Sequence, residues 1–483
     1  SAGSQKLKVK RLKVRLVVQG QHMSKEKGDF VNAFSPVPHA SGVRTIMSIA
    51  TEQDWDAVAC DLTQGFIQAD LPKGEKTIYI SPPPGVEEDP DVVYEVRRPL
   101  YGMPHSGRCL HVTWSNWLKE QGFYKVGYEG AMFAKDDGED KILLSTHVDD
   151  SFITGSSTEK LKLFVDAINE RFDATFEWNP SEYIGMEWER DRANRTSKLH
   201  QAAFSEKMLK AYGAWQHPKP PLTPMKPDTR LSSEDQPEVA DPKLHRRYRA
   251  IVGAIGWLNS GTRPDLSYCY AELSKFAARP GRVHMDAAEY CLAYISGTYE
   301  KGIVYRAGKS GEGNTLSGWV DADFAADLDT RRSHTGYLLM LNGGPVSWKS
   351  TKQKSVSLST AESEWYAASE AGKEIIYLRR ILDDFGFEQK GPTTLYEDSR
   401  AVICMAENPV NRKSSRHIDT RRHFIGELVA AGTVKLADCR TDEMVADALT
   451  KSLPYPSFKK HRATMMGEEV KQAKVYQIVM QVG

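Results

Sequence analysis

Residues 142–155 read I-L-L-S-T-H-V-D-D-S-F-I-T-G. Two short apolar, β-prone runs flank the adjacent aspartates Asp149 and Asp150, a pattern that predicts a β-hairpin with the acidic pair at its turn. Two neighbouring carboxylates cost free energy, because each disfavours ionisation of the other. A divalent cation removes that cost, so an acidic pair on a tight hairpin is a candidate Mg²⁺ platform. An isolated Asp-Asp is more often only a polar turn. The distant carboxylate of Asp61 lifts this pair above that reading.

The chain has 483 residues, which at ~100–200 residues per domain predicts two to four domains. Its formal charge is balanced, with 64 basic and 64 acidic residues, so net charge makes no case for a nucleic-acid partner. Local charge says more: Lys6, Lys8, Lys10, Arg11, Lys13 and Arg15 open the chain with no acid among them. Such a run is a phosphate-facing patch or, more commonly, a solvated arm. Six scattered cysteines without a C-x-x-C spacing fit a reduced intracellular compartment and argue against a zinc site or a disulfide framework. Neither a membrane span nor a secretory segment is visible. The chain starts without Met and enters at once what looks like fold interior, so it reads as a fragment of something longer.

Residues 13–20 (K-V-R-L-V-V-Q-G) alternate as a strand with Lys13 and Arg15 on one face. There they either bind the triphosphate of an incoming nucleotide or line a solvated edge. A helix is expected over 42–53, with Ile46, Ile49 and Ala50 inward. An apolar strand follows and ends at Asp61, an expensive place for a carboxylate unless it serves a site. Residues 100–110 lead into a helix carrying Trp114 and Trp117, and 181–189 (S-E-Y-I-G-M-E-W-E) reads as a second hairpin. Residues 218–242, rich in Pro, Asp and Ser, read as a linker, with three amphipathic helices beyond it. After residue 314 the order is strand, hairpin turning at Asn342-Gly343-Gly344, helix 360–384, strand 393–397, two helices, strand and a last helix. That order describes an α/β domain with its own core.

If the Asp61 strand neighbours the 142–155 hairpin, three carboxylates converge on one sheet edge. Such a trio suits two Mg²⁺ ions ~3.5–4 Å apart and the chemistry of nucleotidyl transfer. The motifs K-V-R-L-V-V-Q-G, F-S-P-V, C-D-L-T-Q-G-F-I-Q-A-D-L, P-P-G, L-Y-G-M, H-V-D-D, Y-I-G-M-E and T-R-P-D occur in an order that resembles the reverse transcriptase of copia-type long-terminal-repeat retrotransposons. The resemblance covers nearly the whole chain. It implies a right-hand polymerase of fingers, palm and thumb, with Asp61, Asp149 and Asp150 as metal ligands. By the same resemblance Lys13 and Arg15 contact the dNTP triphosphate, and Phe66 is the gate that excludes a ribose 2′-hydroxyl. Gly102 allows close approach at the nucleotide site, and Tyr183, Ile184, Gly185 and Met186, with Glu187, form the primer-grip hairpin. The chain departs from the family at His147, where a Tyr is usual, and over 103–110, where His105 replaces a Gln and Gly107 a Pro.

A second set of acids comprises Asp321, Glu364, Asp398 and Asp447. Adjacent strand ends and facing helices can gather them, and acids sharing a site without counter-cations again call for metal, here to activate water against a phosphodiester. Glu362 and Glu364 differ by about 200° on a helix of ~3.6 residues per turn, so only one faces the site. Glu364, on the face of Ala368 and Ala371, is the choice. The motifs V-D-A-D-F-A, R-R-S-H-T-G-Y, L-S-T-A-E-S-E, E-D-S-R-A and A-D-A-L-T-K resemble the ribonuclease H domain of the same polyproteins. Asp323, Asp327 and Asp329 read as a solvated loop. Arg416, His417, Arg421, Arg422 and His423 form a basic cluster facing either a phosphate backbone or its own helix.

The expectation is thus an α/β (α+β) chain. Reverse transcriptase fingers and palm span 1–215, linker and helical thumb or connection 216–310, a ribonuclease H-like α/β domain 311–455 and a tail 456–483. The resemblance implies Mg²⁺ or Mn²⁺, two ions per active site. It also implies an RNA template, a DNA primer and RNA–DNA hybrid, dNTPs, a tRNA primer and no membrane. A cytoplasmic virus-like particle or the nucleus is the location expected from the family. The rival class is a decayed or co-opted remnant that binds nucleic acid without polymerising. The altered 103–110 stretch and His147 favour that class, while seven retained acids and an open frame oppose it.

Overall fold

The computed structural model describes residues 16–468 except 73, 75, 84, 87, 88, 90, 129, 309–312 and 408–415, and no side chain at 416–419. Lys13 and Arg15, with the basic run that contains them, therefore lie outside the described residues, as do the side chains of Arg416 and His417. The chain forms two compact units, Ser1–Pro38 with Ala57–Trp178, and His39–Asp56 with Asn179–Gly483.

The first unit is built on a six-stranded sheet. Its strands run in the order Tyr124–Lys125, Met132–Asp137, Asp140–His147, Asp150–Gly155, Asp56–Leu62, Ala174–Trp178. The hairpin expected from 142–155 is present, with Ile142 paired to Gly155 and His147 to Asp150 across a two-residue turn. Alternation along Asp56–Leu62 buries Val58, Cys60 and Leu62 and leaves Asp61 exposed, the period-two geometry of a half-buried strand. Helices Ser106–Glu120 and Thr158–Arg171 contribute Leu110, Trp114, Trp117, Phe164 and Ile168 to the core against Val58, Leu144 and Ile153. The expected tryptophan pair is stacked at 5.2 Å, and Trp114 Nε1 donates to Thr146 Oγ1 at 3.0 Å. Each large apolar side chain buried this way contributes about 1.5–3 kcal/mol.

The second unit holds two sheets and a helical cluster. One sheet orders Gly302–Arg306, Thr196–His200, Met186–Asp191 and Glu182–Tyr183. The other orders Gly344–Lys352, His334–Leu341, Ser317–Asp323, Thr393–Glu397 and Val434–Asp438. Its first three strands are antiparallel and its last two join in parallel, so the strands carrying Asp321 and preceding Asp398 finish at the same edge. Asn342 and Gly343, with φ of 52° and 73°, make the predicted tight turn, a conformation open to Asn and Gly. Helix Thr360–Asp384 matches its expectation, and Pro242–Gly261, Ser267–Ser274 and Arg282–Ser296 are the three amphipathic helices.

Three expectations change. The 218–242 stretch is no free linker, because Met225 and Leu231 are buried in the helical core and hold it down. The last predicted helix shrinks to Asp447–Thr450. Asp327 is not solvated: it is 6% exposed and ion-paired to Lys275 at 2.9 Å and Lys352 at 3.4 Å. Beyond these, a helix at Tyr455–Met465 buries Phe458 and Met465 against the same core. No helix among the described residues is long and apolar enough to cross a membrane.

Candidate active sites

In the first unit the strand of Asp61 lies beside the strand that Asp150 begins. The backbone N–H of Leu62 donates to the carbonyl of Asp149 at 3.1 Å, which ties the end of one strand to the turn of the other. Val148, first residue of that turn, has a φ of 61°. For a β-branched residue this costs on the order of 1–3 kcal/mol, and packing of Val148 against the core holds it there. The Asp150 carboxyl is raised by burial, then by the charges of Asp149 and Asp61, with a side-chain hydrogen bond to Asp61 adding to the rise. The buried Cys60 thiol, pushed up to about 12, feels the same Asp61 and Asp150 charges after burial itself. Asp61, Asp149 and Asp150 therefore share one electrostatic site. His147, exposed beside them, partly offsets the rise on Asp150.

Glycines set the surroundings of this site. A Cβ on Gly65 would sit 3.0 Å from Leu110 Cδ2 and 3.4 Å from Asp149 Cβ, so only hydrogen fits there without crowding. Gly65 opens the short helix Gly65–Gln68, which places the Phe66 ring 4.8 Å from that of Tyr101. Next to Tyr101, Gly102 has a φ of 90°, and a Cβ there would lie 2.1 Å from the Val18 carbonyl oxygen. The crossing of residues 17–20 over 101–102 is sealed by the Val18 N–H donating to the Tyr101 carbonyl at 2.8 Å. His105 is buried and stacks on Phe30 at 5.7 Å.

The Tyr183–Met186 hairpin belongs to the second unit. Tyr183 pairs with Met186 across Ile184 and Gly185, whose φ angles of 43° and 76° are those of a two-residue turn with both central residues left-handed. Tyr183 and Met186 are buried. A Cβ on Gly185 would meet Trp257 Cζ2 at 2.8 Å, so the turn is seated on the Trp257 ring.

The second cluster is tighter. One carboxylate oxygen each from Asp321, Glu364 and Asp398 lies within 4.8 Å of the others, the one group of this kind among the described residues. Strand pairing explains the match: Trp319 is level with Tyr396 in the parallel register, so two residues on Asp321 faces Asp398. Glu364 reaches in from the second turn of its helix. That helix starts at Ser359, whose hydroxyl accepts from the Glu362 N–H at 3.1 Å, while Glu362 Oε2 accepts from the Leu358 N–H at 2.7 Å. Glu362 is thus spent on the cap, and Glu364 is the carboxylate at the site. Asp447 lies outside that group and adjoins Asp321, where Thr450 Oγ1 donates to Asp321 Oδ2 and Lys451 Nζ pairs with Asp447 Oδ1 at 2.8 Å.

Every acid here is held above its ordinary range. Burial and then Asp447 push Asp321 up to about 6. Burial and then Glu397 raise Glu364 strongly, and burial dominates the rise on Asp398 and on Asp447. Glu364 Oε2 and Glu397 Oε2 are buried without a hydrogen-bond partner, an arrangement that leaves negative charge under-compensated and fits a divalent cation. Two members escaped sequence reasoning. Lys451, one turn beyond Asp447, corrects the expectation of a site without counter-cations. Glu397, fully buried beside Asp398, looked like an ordinary strand residue. An acid at an inward strand position was the available signal. Arg421 lies over the Tyr366 ring at 3.9 Å.

A family model described as "Reverse transcriptase (RNA-dependent DNA polymerase)" matches residues 2–227. The chain is 32% identical over 459 residues to the "Retrovirus-related Pol polyprotein from transposon TNT 1-94" of Nicotiana tabacum, covering 94% of this chain and 34% of that protein. It is 31% identical over 453 residues to the corresponding polyprotein from transposon RE2 of Arabidopsis thaliana, covering 93% and 30%. The chain thus spans roughly a third of the length of the curated relatives it matches. Among solved structures, a foamy viral protease–reverse transcriptase in complex with RNA/DNA hybrid aligns with a TM-score of 0.46 and 13% identity, over 85% of this chain and 46% of that one. By sequence, then, the chain is similar to the retrotransposon Pol polyproteins over nearly its whole length, with the reverse transcriptase family model on its first half.

Proposed function

We propose that this chain is an RNA-directed DNA polymerase with ribonuclease H activity, which copies RNA into DNA and then degrades the RNA of the hybrid. The observation that carries the reading is the gathering of acids from distant parts of the sequence at two separate sites. Asp61 stands against the Asp149–Asp150 turn, and Asp321 stands within 4.8 Å of Glu364 and Asp398. Unpartnered buried carboxylate oxygens support a divalent metal at the second site. Mg²⁺, or Mn²⁺ in its place, two ions per site, is the choice that suits hard oxygen ligands and phosphoryl chemistry.

In the polymerase half Asp61, Asp149 and Asp150 would hold the metal, which when bound activates the attacking hydroxyl and stabilises the leaving oxygen. Phe66, backed by Tyr101, would close the sugar side of the nucleotide pocket and exclude a 2′-hydroxyl. Gly102 would let the nucleotide approach the backbone, Lys13 and Arg15 would bind its triphosphate, and the Tyr183–Met186 hairpin would hold the primer end. In the nuclease half Asp321, Glu364, Asp398 and Asp447 would hold the metal, and Lys451 would steady Asp447. Nucleic-acid contacts of both halves are to backbone and duplex shape, with RNA template, DNA primer, hybrid and dNTPs as ligands and a tRNA as the natural primer.

The test is extension of a DNA primer on an RNA template in Mg²⁺ or Mn²⁺, followed on the same protein by cleavage of an RNA–DNA hybrid. Extension and cleavage are both expected. Folded protein that does neither, while still binding hybrid, is the remnant.

A further inference from the structure

Strand Ser317–Asp323 brings Asp321 to the carboxylate cluster, and the chain then leaves the sheet for ten residues before His334 pairs back to Asp323. This excursion, 324–333, is fastened from several sides. Asp327, buried at its centre, accepts from the N–H of Thr330 at 2.9 Å and from its hydroxyl at 2.5 Å, and it is paired to Lys275 and Lys352. The Arg331 N–H donates to the Asp327 carbonyl at 2.8 Å, and the Asp327 N–H to the Arg332 carbonyl at 3.1 Å. Asp329 accepts from the Ser232 hydroxyl at 2.9 Å and the Ser233 N–H at 3.0 Å. Arg230 donates to the Ala326 carbonyl at 3.1 Å. Ala325 and Arg331 are held at positive φ, 52° and 55°, a cost sustained only where surroundings over-determine the backbone.

So firm a loop presents an unusual outer face. Phe324 is 39% and Leu328 43% exposed. Arg331 is exposed and Arg332 half-buried, and neither side chain has an ion-pair or hydrogen-bond partner among the described residues. Phe324 follows Asp321 by three residues, so its Cα is at most about 11 Å from that of Asp321. Rigid anchoring lowers the entropy cost of binding. The Ala325 N–H donates to the Ser333 hydroxyl oxygen at 3.1 Å, which ties the arm of Phe324 to the arm of the two arginines, and cations suit the phosphates of a nucleic-acid backbone.

Resting on the ribonuclease H reading of the adjacent acids, we propose that loop 324–333 is a preformed clamp for the hybrid backbone. Arg331 and Arg332 bind phosphates near the link to be cut, and Phe324 packs on a sugar. The loop acts in substrate binding and positioning; it touches no reacting atom.

The experiment measures kcat and KM for cleavage of a short RNA–DNA hybrid by the full chain, across a series of salt concentrations. Variants are Arg331→Ala, Arg332→Ala, Arg331→Lys and Phe324→Ala, each checked for unchanged melting temperature. For either Arg→Ala variant KM rises on the order of tenfold with kcat held, and the salt slope of log kcat/KM drops by about 0.9, one phosphate contact. Arg331→Lys restores the slope and part of the affinity, which a purely structural role would not produce. Phe324→Ala raises KM without changing the slope. Wild-type kinetics and an unaltered slope in both Arg→Ala variants overturn the clamp while leaving the nuclease intact. Wild-type protein that neither cleaves nor binds the hybrid overturns the clamp together with the reading beneath it.

Discussion

Replacing Asp321 with Asn should make the metal-free protein more stable and deprive it of stabilisation by metal. The Asp321 carboxyl, 4% exposed, is raised from its usual 3.8 to about 6, first by burial and then by Asp447. At 1.36 kcal/mol per tenfold in the proton equilibrium, that rise corresponds to about 3 kcal/mol. The folded state holds this proton more tightly than the unfolded state, so nothing is lost below pH 3.8, where both are protonated. Stability then declines as pH climbs from 3.8 to about 6, and above that the whole penalty stays. Asn is nearly isosteric, accepts from Thr450 Oγ1 and donates to Asp447, while carrying no charge to desolvate. In EDTA at pH 7.5, Asp321→Asn should therefore melt up to about 6–12 °C above wild type, since roughly 1 kcal/mol moves a melting point ~2–4 °C in domains of 150–250 residues. At pH 4 the two should coincide. Adding Mg²⁺ should raise wild type, by about 2.7 kcal/mol at a hundredfold excess over Kd, and leave the variant where it was. A variant no more stable in EDTA, or one that Mg²⁺ stabilises as much as wild type, would refute the claim that these buried acids are held against their own repulsion for a cation.

Three further outcomes follow from the geometry. Gly102→Ala must force a Cβ to 2.1 Å from the Val18 carbonyl at a φ of 90°, and should cost at least about 1–3 kcal/mol, read by denaturant unfolding of the first unit. Asp327→Asn breaks a buried ion pair and should destabilise the second unit by about 3 kcal/mol. Its carboxyl is lowered despite burial by Thr330, Lys275 and Lys352, so that stabilisation is full above the ordinary carboxylate range and fades as pH falls through it, leaving wild type and variant alike in acid. Phe66→Val opens the sugar side of the pocket and should reduce discrimination against ribonucleotides by ~10-fold or more, measured as the ratio of kcat/KM for dNTP and rNTP; an unchanged ratio argues against a gate at Phe66.

Much of this architecture was legible in sequence because its signals are local. Period-two alternation around Asp149–Asp150 and the Asn342-Gly343 turn each settle backbone conformation within a few residues. The choice of Glu364 over Glu362 rests on helical angle together with the small Ala368 and Ala371 on its face, and the cap shows where the rejected acid goes. What sequence did not show depends on distant partners. Asp327 reads as a polar loop residue until Lys275 and Lys352 are brought to it. The Pro-rich 218–242 stretch lacks periodicity, yet Met225 and Leu231 dock it. Glu397 and Lys451 flank recognised positions, and only the crossing of three elements gives them their electrostatic roles. Gly65 carries no motif that declares how close Asp149 will come.

Two metal-dependent chemistries are proposed for the two separate groups of acids. One protein preparation assayed side by side for extension of a primed RNA template and for hybrid cleavage, as wild type, Asp149→Asn and Glu364→Gln, tests this directly. Asp149→Asn should lose extension by at least about 100-fold, beyond what supporting residues of metal sites typically cost, and keep cleavage, whereas Glu364→Gln should do the reverse. Both activities falling together in either variant, or surviving in both, would contradict it.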